Sequence, residues 1–356
     1  MSGFTRLKSR IFWIRLLHWE YWSFHTVYLP VYPIWLFLCL RARSLFFFAA
    51  SNPGIKNGGF LSESKRQIYD LVPVEFQPKT LFFEAGKDPQ LVADQLKAAR
   101  FQYPLMGKPN IGGRGRGVEK LNDENDVLTY ALLAAMDFHI QEFISYENEL
   151  GIFYYRFPGQ QQGSISGIAG KEFLKVTGDG KRSVRELLML SSRGVLQLTE
   201  LNIHHPELMK EVIPEKEVFT VVPYGNHARG AKFLDLPDFI TPALTQMVDS
   251  LCRQIPDFHF GRLDIRYRNR ELLESGKEFS VLEVNGAGSE PTHIYDPRHS
   301  LFFAWKEIVR HWILLFKISR ANHRRGHPYL SFSEGARMFR EDKLYSKQLD
   351  QMKRIK

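Results

Sequence analysis

The sequence predicts an α+β protein, and three observations carry that prediction. Segments with helical spacing, such as SESKRQIYDLV, DPQLVADQLKAAR and SVRELLML, are interleaved with short apolar runs such as TLFFE that read as strands. The last two such runs, residues 262–268 and 279–285, flank the polar turn ELLESGKE and read as an antiparallel pair. The 356 residues, 44% of them hydrophobic and 24% charged, supply core for about two domains of roughly 150 residues each. That composition excludes collagen-like, low-complexity and largely disordered chains.

The first stretch is basic and aromatic. Residues 1–50 carry six basic side chains and one acidic, and residues 306–356 carry thirteen and five, so a net charge of +9 leaves the middle of the chain at −4. All six tryptophans, Trp13, Trp19, Trp22, Trp35, Trp305 and Trp312, fall toward these two ends. Tryptophan mixed with lysine and arginine suits the boundary between water and anionic lipid, and an anionic membrane surface is the expected partner. Nucleic acid is the weaker candidate, because the acidic body has no basic and aromatic stripe of its own.

A membrane span is not expected. The longest apolar run, residues 27–40, is 14 residues with Pro30 and Pro33 inside it and Arg41 and Arg43 just after, whereas crossing takes about 20. His18 and Glu20 interrupt the pattern a secretory signal would need. Three readings of the ends follow, in descending order: interfacial attachment, packing of the aromatics onto the body, and a span or hairpin. Cys39 and Cys252 are the only cysteines, so a disulfide framework and a four-cysteine zinc site are both out. A reducing, cytoplasmic setting is expected, peripheral on the cytoplasmic face of a membrane if the ends attach there.

The turn-rich segment SNPGIKNGG, residues 51–59, reads as a boundary, with the folded body beginning after it. Helix, strand TLFFE, helix and an apolar strand ending at Lys108 follow. After a Gly-rich turn come a strand near residues 117–121, a helix through 125–136 and a strand over 138–145. Paired strands are expected at 150–156 and 163–169, then a GDG turn at 178–180 before SVRELLML. Helices at 242–254 and 301–319 complete the body, and the basic tail after Arg320 is expected to be partly helical.

Three constellations bear chemistry. In FQYPLMGKPNIGGRGRGVEKL a strand delivers Lys108 into a turn with Gly112, Gly113, Gly115 and Gly117. Such a turn can aim several N–H groups at one phosphate, although the same composition also makes ordinary surface loops. In HIQEFISYENELGIFYYR, Glu142 and Glu149 stand seven apart on a strand and the loop after it. That fits solvated acids at a strand end, or a nucleoside hinge in which backbone near Phe143 and Ile144 reads the base while a carboxylate accepts from the ribose. In FHFGRLDIRYR and FSVLEVNGAG, alternation puts Arg262 and Asp264 on one strand face and Glu283 and Asn285 on one face of the partner. Hard oxygen donors of this kind suit Mg²⁺ bound with nucleotide phosphates, and an arginine beside them suits a developing oxyanion.

In this order, the three constellations resemble the ATP-grasp superfamily, and within it the D-alanine:D-alanine ligase-like and cyanophycin-synthetase-like carboxylate-amine ligases. The resemblance covers residues 63–297 and rests on Lys108, Pro109 and Gly117, on Glu142 and Glu149, on Gly261-Arg262-Leu263-Asp264, and on Leu282, Glu283 and Asn285. It implies two α+β lobes clasping a nucleotide, with an N-terminal segment over 1–60, an ATP-grasp domain over 61–305 (lobes about 61–140 and 141–305) and a basic helical tail over 306–356.

It further implies ATP and Mg²⁺, with Mn²⁺ the other candidate ion, and small carboxylate and amine substrates joined through an acyl phosphate. Lys65, Lys108 and the four glycines would hold phosphate. Glu142, Phe143, Ile144 and Glu149 would hold the nucleoside, with Lys171 or Lys175 as a further nucleotide contact. Asp264, Glu283 and Asn285 would hold metal, and Arg262 would be catalytic. Asn226, Ser289 and His293 are substrate candidates. The chain departs from that family in having only about sixty aromatic, basic residues before Lys65, where relatives carry a Rossmann-like domain. The substrate is therefore open, with an envelope- or lipid-related acceptor suggested by the ends. The alternative is a non-catalytic ATP-binding module tied to surface-polysaccharide assembly.

Overall fold

The computed structural model describes residues 3–113, 115–223, 225 and 227–354. Along the chain come α1 (Gly3–Leu17), α2 (Phe24–Tyr28), α3 (Tyr32–Ala42), α4 (Lys65–Leu71), β1 (Thr80–Phe83), α5 (Pro89–Ala98), β2 (Leu105–Pro109), β3 (Glu119–Leu121), α6 (Glu124–Leu133), β4 (Phe138–Glu142) and β5 (Asn148–Tyr155). There follow β6 (Ser164–Glu172), β7 (Leu174–Thr177), α7 (Val184–Leu188), α8 (Ser192–His204), β8 (Val218–Val222), β9 (Lys232–Asp235), α9 (Pro242–Gln254), β10 (Phe260–Tyr267), α10 (Arg270–Glu274), β11 (Phe279–Asn285), α11 (Leu301–Arg324) and α12 (Phe332–Arg354). The class is α+β, as the interleaved patterns predict.

Local chemistry starts these elements. Asp88 caps α5 by accepting from the Gln90 N–H, with Pro89 at the first helical position. Ser183 and Glu186 form a reciprocal capping box on α7. In α9, Thr241 is the cap, and the buried set Leu244, Val248, Leu251 and Cys252 repeats at helical spacing.

The chain divides into two compact units. The larger holds Pro33–Ile168, Pro237–Pro291 and the chain from Val309 on. One of its sheets has the order β1-β4-β2-β3, wholly antiparallel. Phe138 and Ile140 of β4, with Leu105 of β2, pack under Val92 and Leu96 of α5 and Val127 of α6. In the second sheet β5 lies between β10 and β6, with β11 outside β10. Leu263 and Ile265 alternate with Arg262, Asp264 and Arg266 along β10, so one face of that strand is core and the other carries charge.

The turn-rich segment at 51–59 is built into this unit. Asn52 is fully buried: its Nδ2 donates to the carbonyls of Gly58 (2.9 Å) and Phe260 (2.8 Å), and its Oδ1 accepts from the N–H groups of His259 (2.8 Å) and Phe260 (2.9 Å). The segment thus lies against the start of β10.

The smaller unit comprises the chain up to Tyr32, Ala169–Leu236 and Thr292–Ile308. β7 pairs with β8, and Val184, Leu188, Val195 and Leu198 of α7 and α8 fill its core. The end of β6 pairs with β9, Ala169 opposite Asp235. Its N-terminal part is tied in by polar bonds. Glu20 is buried and pairs with Arg193 and, at 3.3 Å, with His227. Trp19 Nε1 donates to the His299 carbonyl (3.0 Å), and Trp305 Nε1 to that of Val27 (2.8 Å).

Packing of the aromatics therefore accounts for most of the terminal tryptophans. In the larger unit Trp35 lies against Phe47, Phe48, Phe60 and Trp312, whereas Trp13 of α1 stands 54% exposed. Among the described residues no helix is long and apolar enough to cross a membrane. Both cysteines are free and buried.

Candidate active site

The charged face of β10 is the base of the site. Along the β10–β11 register Asp264 stands opposite Glu283 and Arg262 opposite Asn285, with an irregularity just after Asp264. Alternation puts each pair on one face of its own strand, and the observed register brings the two carboxylates together. Arg262 grips Asp264 with two bonds, Nε to Oδ1 at 2.9 Å and a terminal nitrogen to Oδ2 at 3.2 Å, and its other terminal nitrogen donates to the Glu290 carbonyl at 3.1 Å.

Glu63 joins the group from outside the motifs. The backbone of 58–63 is zipped onto 286–288: Ala287 N–H donates to Gly58 O (2.9 Å), Gly288 N–H to Gly59 O (2.8 Å), and Gly286 N–H to Glu63 Oε1 (3.1 Å). Glycine is required where these backbones meet, since a Cβ on Gly286 would lie 2.5 Å from Gly58 O and 2.7 Å from Gly59 Cα. Burial raises the Glu63 carboxyl to about 8, helped by the charge of Glu283 and opposed by the Gly286 N–H, Lys65 and Arg262.

The charge of Glu283 acts on two lysines. Lys65 opens α4 and donates from Nζ to Gly112 O at 2.8 Å. Lys108, on β2, donates to Gln141 Oε1 at 2.7 Å. Burial lowers both ammonium groups, Lys108 to about 8, while the charge of Glu283 acts on each of them in the opposite direction. Gln141 is fully buried and passes the network on, its Nε2 donating to Tyr69 Oη and Thr80 Oγ1, both at 2.8 Å. Tyr69 Oη in turn donates to the Leu282 carbonyl at 2.7 Å, which ties β4 to β11 beside Glu283. His139, opposite Lys108 in the β2–β4 register, is fully buried with no hydrogen-bond partner on either ring nitrogen. Burial and the two lysines hold it well below the usual imidazole range, hence neutral.

The Gly-rich turn has positive φ at Gly112, Gly115 and Gly117, the left-handed conformations its composition predicts. Lys65 braces it at Gly112, and Tyr130 Oη donates to Gly117 O at 2.8 Å. A Cβ on Gly112 would come 2.8 Å from Leu349 Cδ1 of α12, so the C-terminal helix packs on this turn; nothing crowds Gly113.

The residues expected to form the hinge gather on Arg266, which lies in the segment FHFGRLDIRYR but has no role assigned to it there. Arg266 pairs with Glu149 through Nε at 3.2 Å, donates to the Ile144 carbonyl at 2.6 Å and lies 5.4 Å from the Phe143 ring centre, with Lys120 4.8 Å from the same ring. Both Arg266 and Glu149 are buried. Alternation from Arg262 and Asp264 points to Arg266, since it is the next residue on that face. Glu142 is exposed at the end of β4. No local pattern marks Glu63, Tyr69 or Gln141, because their partners lie tens to hundreds of residues away.

Ser289 Oγ donates to Gly286 O at 2.6 Å, which closes the turn after β11. Lys171 (β6) and Lys175 (β7) belong to the smaller unit, as does His293, buried and paired with Glu307 at 3.2 Å. Asn226 lies outside the described residues. In the GDG turn Asp179 accepts from the N–H groups of Lys181 (3.0 Å) and Arg182 (2.8 Å), a local turn-closing role.

A divalent cation fits the donor set. Asp264 and Glu283 stand opposite each other in the β10–β11 register and supply carboxylate oxygens, and Asn285, on the same strand as Glu283, carries an amide oxygen of the same hard kind. Among the described residues no group of three or more His, Cys, Asp or Glu is placed to hold a metal ion, so Asn285 would have to be the third donor here.

No protein-family model matches the chain. No curated protein matches it either. Among solved structures it is similar to the VanG D-Ala:D-Ser ligase of Enterococcus faecalis, at 16% identity and TM-score 0.41 over 71% of this chain and 61% of that one. The D-alanine–D-alanine ligase of Bacillus anthracis is similar at 14% identity and TM-score 0.40, over 75% and 73%. The bifunctional glutathione synthetase of Pasteurella multocida is similar at 12% and TM-score 0.36, over 74% of this chain and 38% of its own length. The chain thus spans less than two thirds of the length of two of these three proteins.

Proposed function

We propose that this chain is an ATP-dependent carboxylate-amine ligase of the ATP-grasp kind. The observation that carries the reading is the convergence of Lys65 and Lys108 on Glu283, with the Arg262–Asp264 pair beside it, within one compact unit. These residues come from four separate elements, α4, β2, β10 and β11, and in this reading their shared use is to hold a polyphosphate and its counter-ion.

In this reading Lys65, Lys108 and the N–H groups of the Gly-rich turn bind the phosphates, and Arg266 sets Phe143, Ile144 and Glu149 around the nucleoside. Asp264, Glu283 and Asn285 hold Mg²⁺, which when bound neutralises charge on the phosphates. A substrate carboxylate oxygen forms a bond to the γ-phosphorus as the bond to ADP breaks. The amine then attacks the acyl carbon, loses a proton and expels phosphate. Arg262 stabilises the tetrahedral oxyanion of that second step, and positioning with charge neutralisation accounts for most of the acceleration. We take the substrates to be envelope- or lipid-related, on the strength of the basic, aromatic ends.

The test is phosphate release with ATP, Mg²⁺ and pooled carboxylates and amines. Release that falls about 10²–10³-fold in Arg262→Ala, and is lost in Asp264→Asn and Glu283→Gln, supports the ligase. Tight nucleotide binding with no release from any pool replaces it with the alternative, a non-catalytic ATP-binding module.

A further inference from the structure

Helix α3 is apolar around its whole circumference, yet only one side of it is covered. Trp35, Leu38 and Cys39 face inward, Leu38 and Cys39 buried and Trp35 against Phe47, Phe48, Phe60 and Trp312. At 100° per residue the opposite side carries Ile34, Leu36, Phe37 and Leu40, which are 37%, 56%, 55% and 77% exposed. A helix that is hydrophobic all round belongs in a core or in lipid. A contiguous apolar face of this kind on a folded surface marks an interaction site.

The surrounding charge selects the occupant. Arg41 and Arg43 follow the apolar face directly and both are exposed, with the Arg41 guanidinium 5.9 Å from the Phe37 ring centre. Residues 21–62 contain no aspartate or glutamate. An isologous contact with a second copy would bury this same unneutralised basic patch twice. An anionic lipid surface meets both needs, acyl chains for the aliphatic face and headgroup phosphate for the arginines. At 11 residues the helix is about 16 Å long, about half the ~30 Å of a bilayer core, so it lies in the interface and does not cross it.

We propose that the exposed face of α3, with Arg41 and Arg43 at its end, docks the protein on an anionic membrane. This goes beyond the ligase reading and does not depend on it. The tryptophans that make the sequence look interfacial are largely used in packing, and the docking face is made by aliphatic side chains and one phenylalanine.

The experiment is sedimentation of the full chain with vesicles of phosphatidylcholine alone or with about one third phosphatidylglycerol, at low and high salt. Wild type is expected to pellet with the anionic vesicles, more weakly at high salt. The triple variant Leu36→Gln, Phe37→Gln, Leu40→Gln is expected to lose at least about tenfold in partitioning, with an unchanged melting profile because these side chains touch solvent. Arg41→Gln with Arg43→Asn, asparagine tolerating the positive φ at position 43, is expected to lose about fivefold per arginine and the preference for anionic lipid. Wild type that ignores vesicles overturns the proposal, as does a triple variant that binds them unchanged. A dimer that the triple variant dissociates, without vesicle binding by wild type, assigns the face to a second copy and overturns it as well.

Discussion

Lys108 donates to Gln141 across two neighbouring strands, Nζ to Oε1 at 2.7 Å, and the same amide donates to Tyr69 and Thr80. Gln141 is therefore the fixed point that aims the ammonium proposed to bind phosphate. Gln141→Leu leaves Lys108 without this acceptor and takes a donor from Tyr69 and Thr80. It is expected to destabilise the fold by about 1–3 kcal/mol in chemical denaturation. It is also expected to weaken ATP binding more than Gln141→Glu does, since glutamate keeps an acceptor for the lysine.

Arg266 holds Glu149, the Ile144 carbonyl and the Phe143 face at once. Arg266→Lys keeps the charge but loses the planar fork that serves two acceptors. The expected result is a raised KM for ATP with kcat nearly unchanged, the pattern of lost uniform binding. Arg266→Met leaves Glu149 without its arginine partner and is expected to cost about 3–5 kcal/mol in a denaturant titration.

The site makes stability depend on pH in two opposite senses. Native Lys108 gives up its proton near 8, whereas the unfolded lysine holds it to about 10.4, so between these values the unfolded chain binds more protons and stability rises with pH. Native Glu63 keeps its proton up to about 8, whereas the unfolded glutamate loses it near about 4.3, so stability falls as pH rises through that interval. Lys108→Met is expected to remove the rise above pH 8, and Glu63→Gln to flatten the fall below it, both read from denaturation midpoints against pH. Because phosphate prefers the charged lysine, ATP affinity is expected to weaken as pH rises past about 8, measurable by titration calorimetry.

Asn52 satisfies four backbone groups in the interior. Asn52→Leu leaves two N–H and two C=O groups without it and is expected to cost about 3 kcal/mol or more, read as a lowered melting temperature. Asn52→Asp keeps the acceptor side only and should fall between the two.

How far the site was legible follows from the range of each contact. Strand alternation puts Arg262 with Asp264 and Glu283 with Asn285, and the register then sets Asp264 against Glu283, because the period of two is a property of the backbone itself. The same step reaches Arg266. Lys108 and the positive-φ glycines were legible for the same local reason. Glu63 was not: its place beside Gly286 depends on backbone hydrogen bonds between segments more than two hundred residues apart.

The amino-acid order by itself determined the α+β class, the strand and turn that carry Lys108, and the charged face of β10, all of which follow from backbone periodicity and glycine's freedom. Only the tertiary structure decided that residues 51–59 lie against β10, that Arg266 gathers Glu149, Ile144 and Phe143, and that most terminal tryptophans pack while an aliphatic face of α3 stays in water. Those outcomes depend on which surfaces meet once the chain has closed, and hydrophobic burial is non-directional, so no local pattern encodes them.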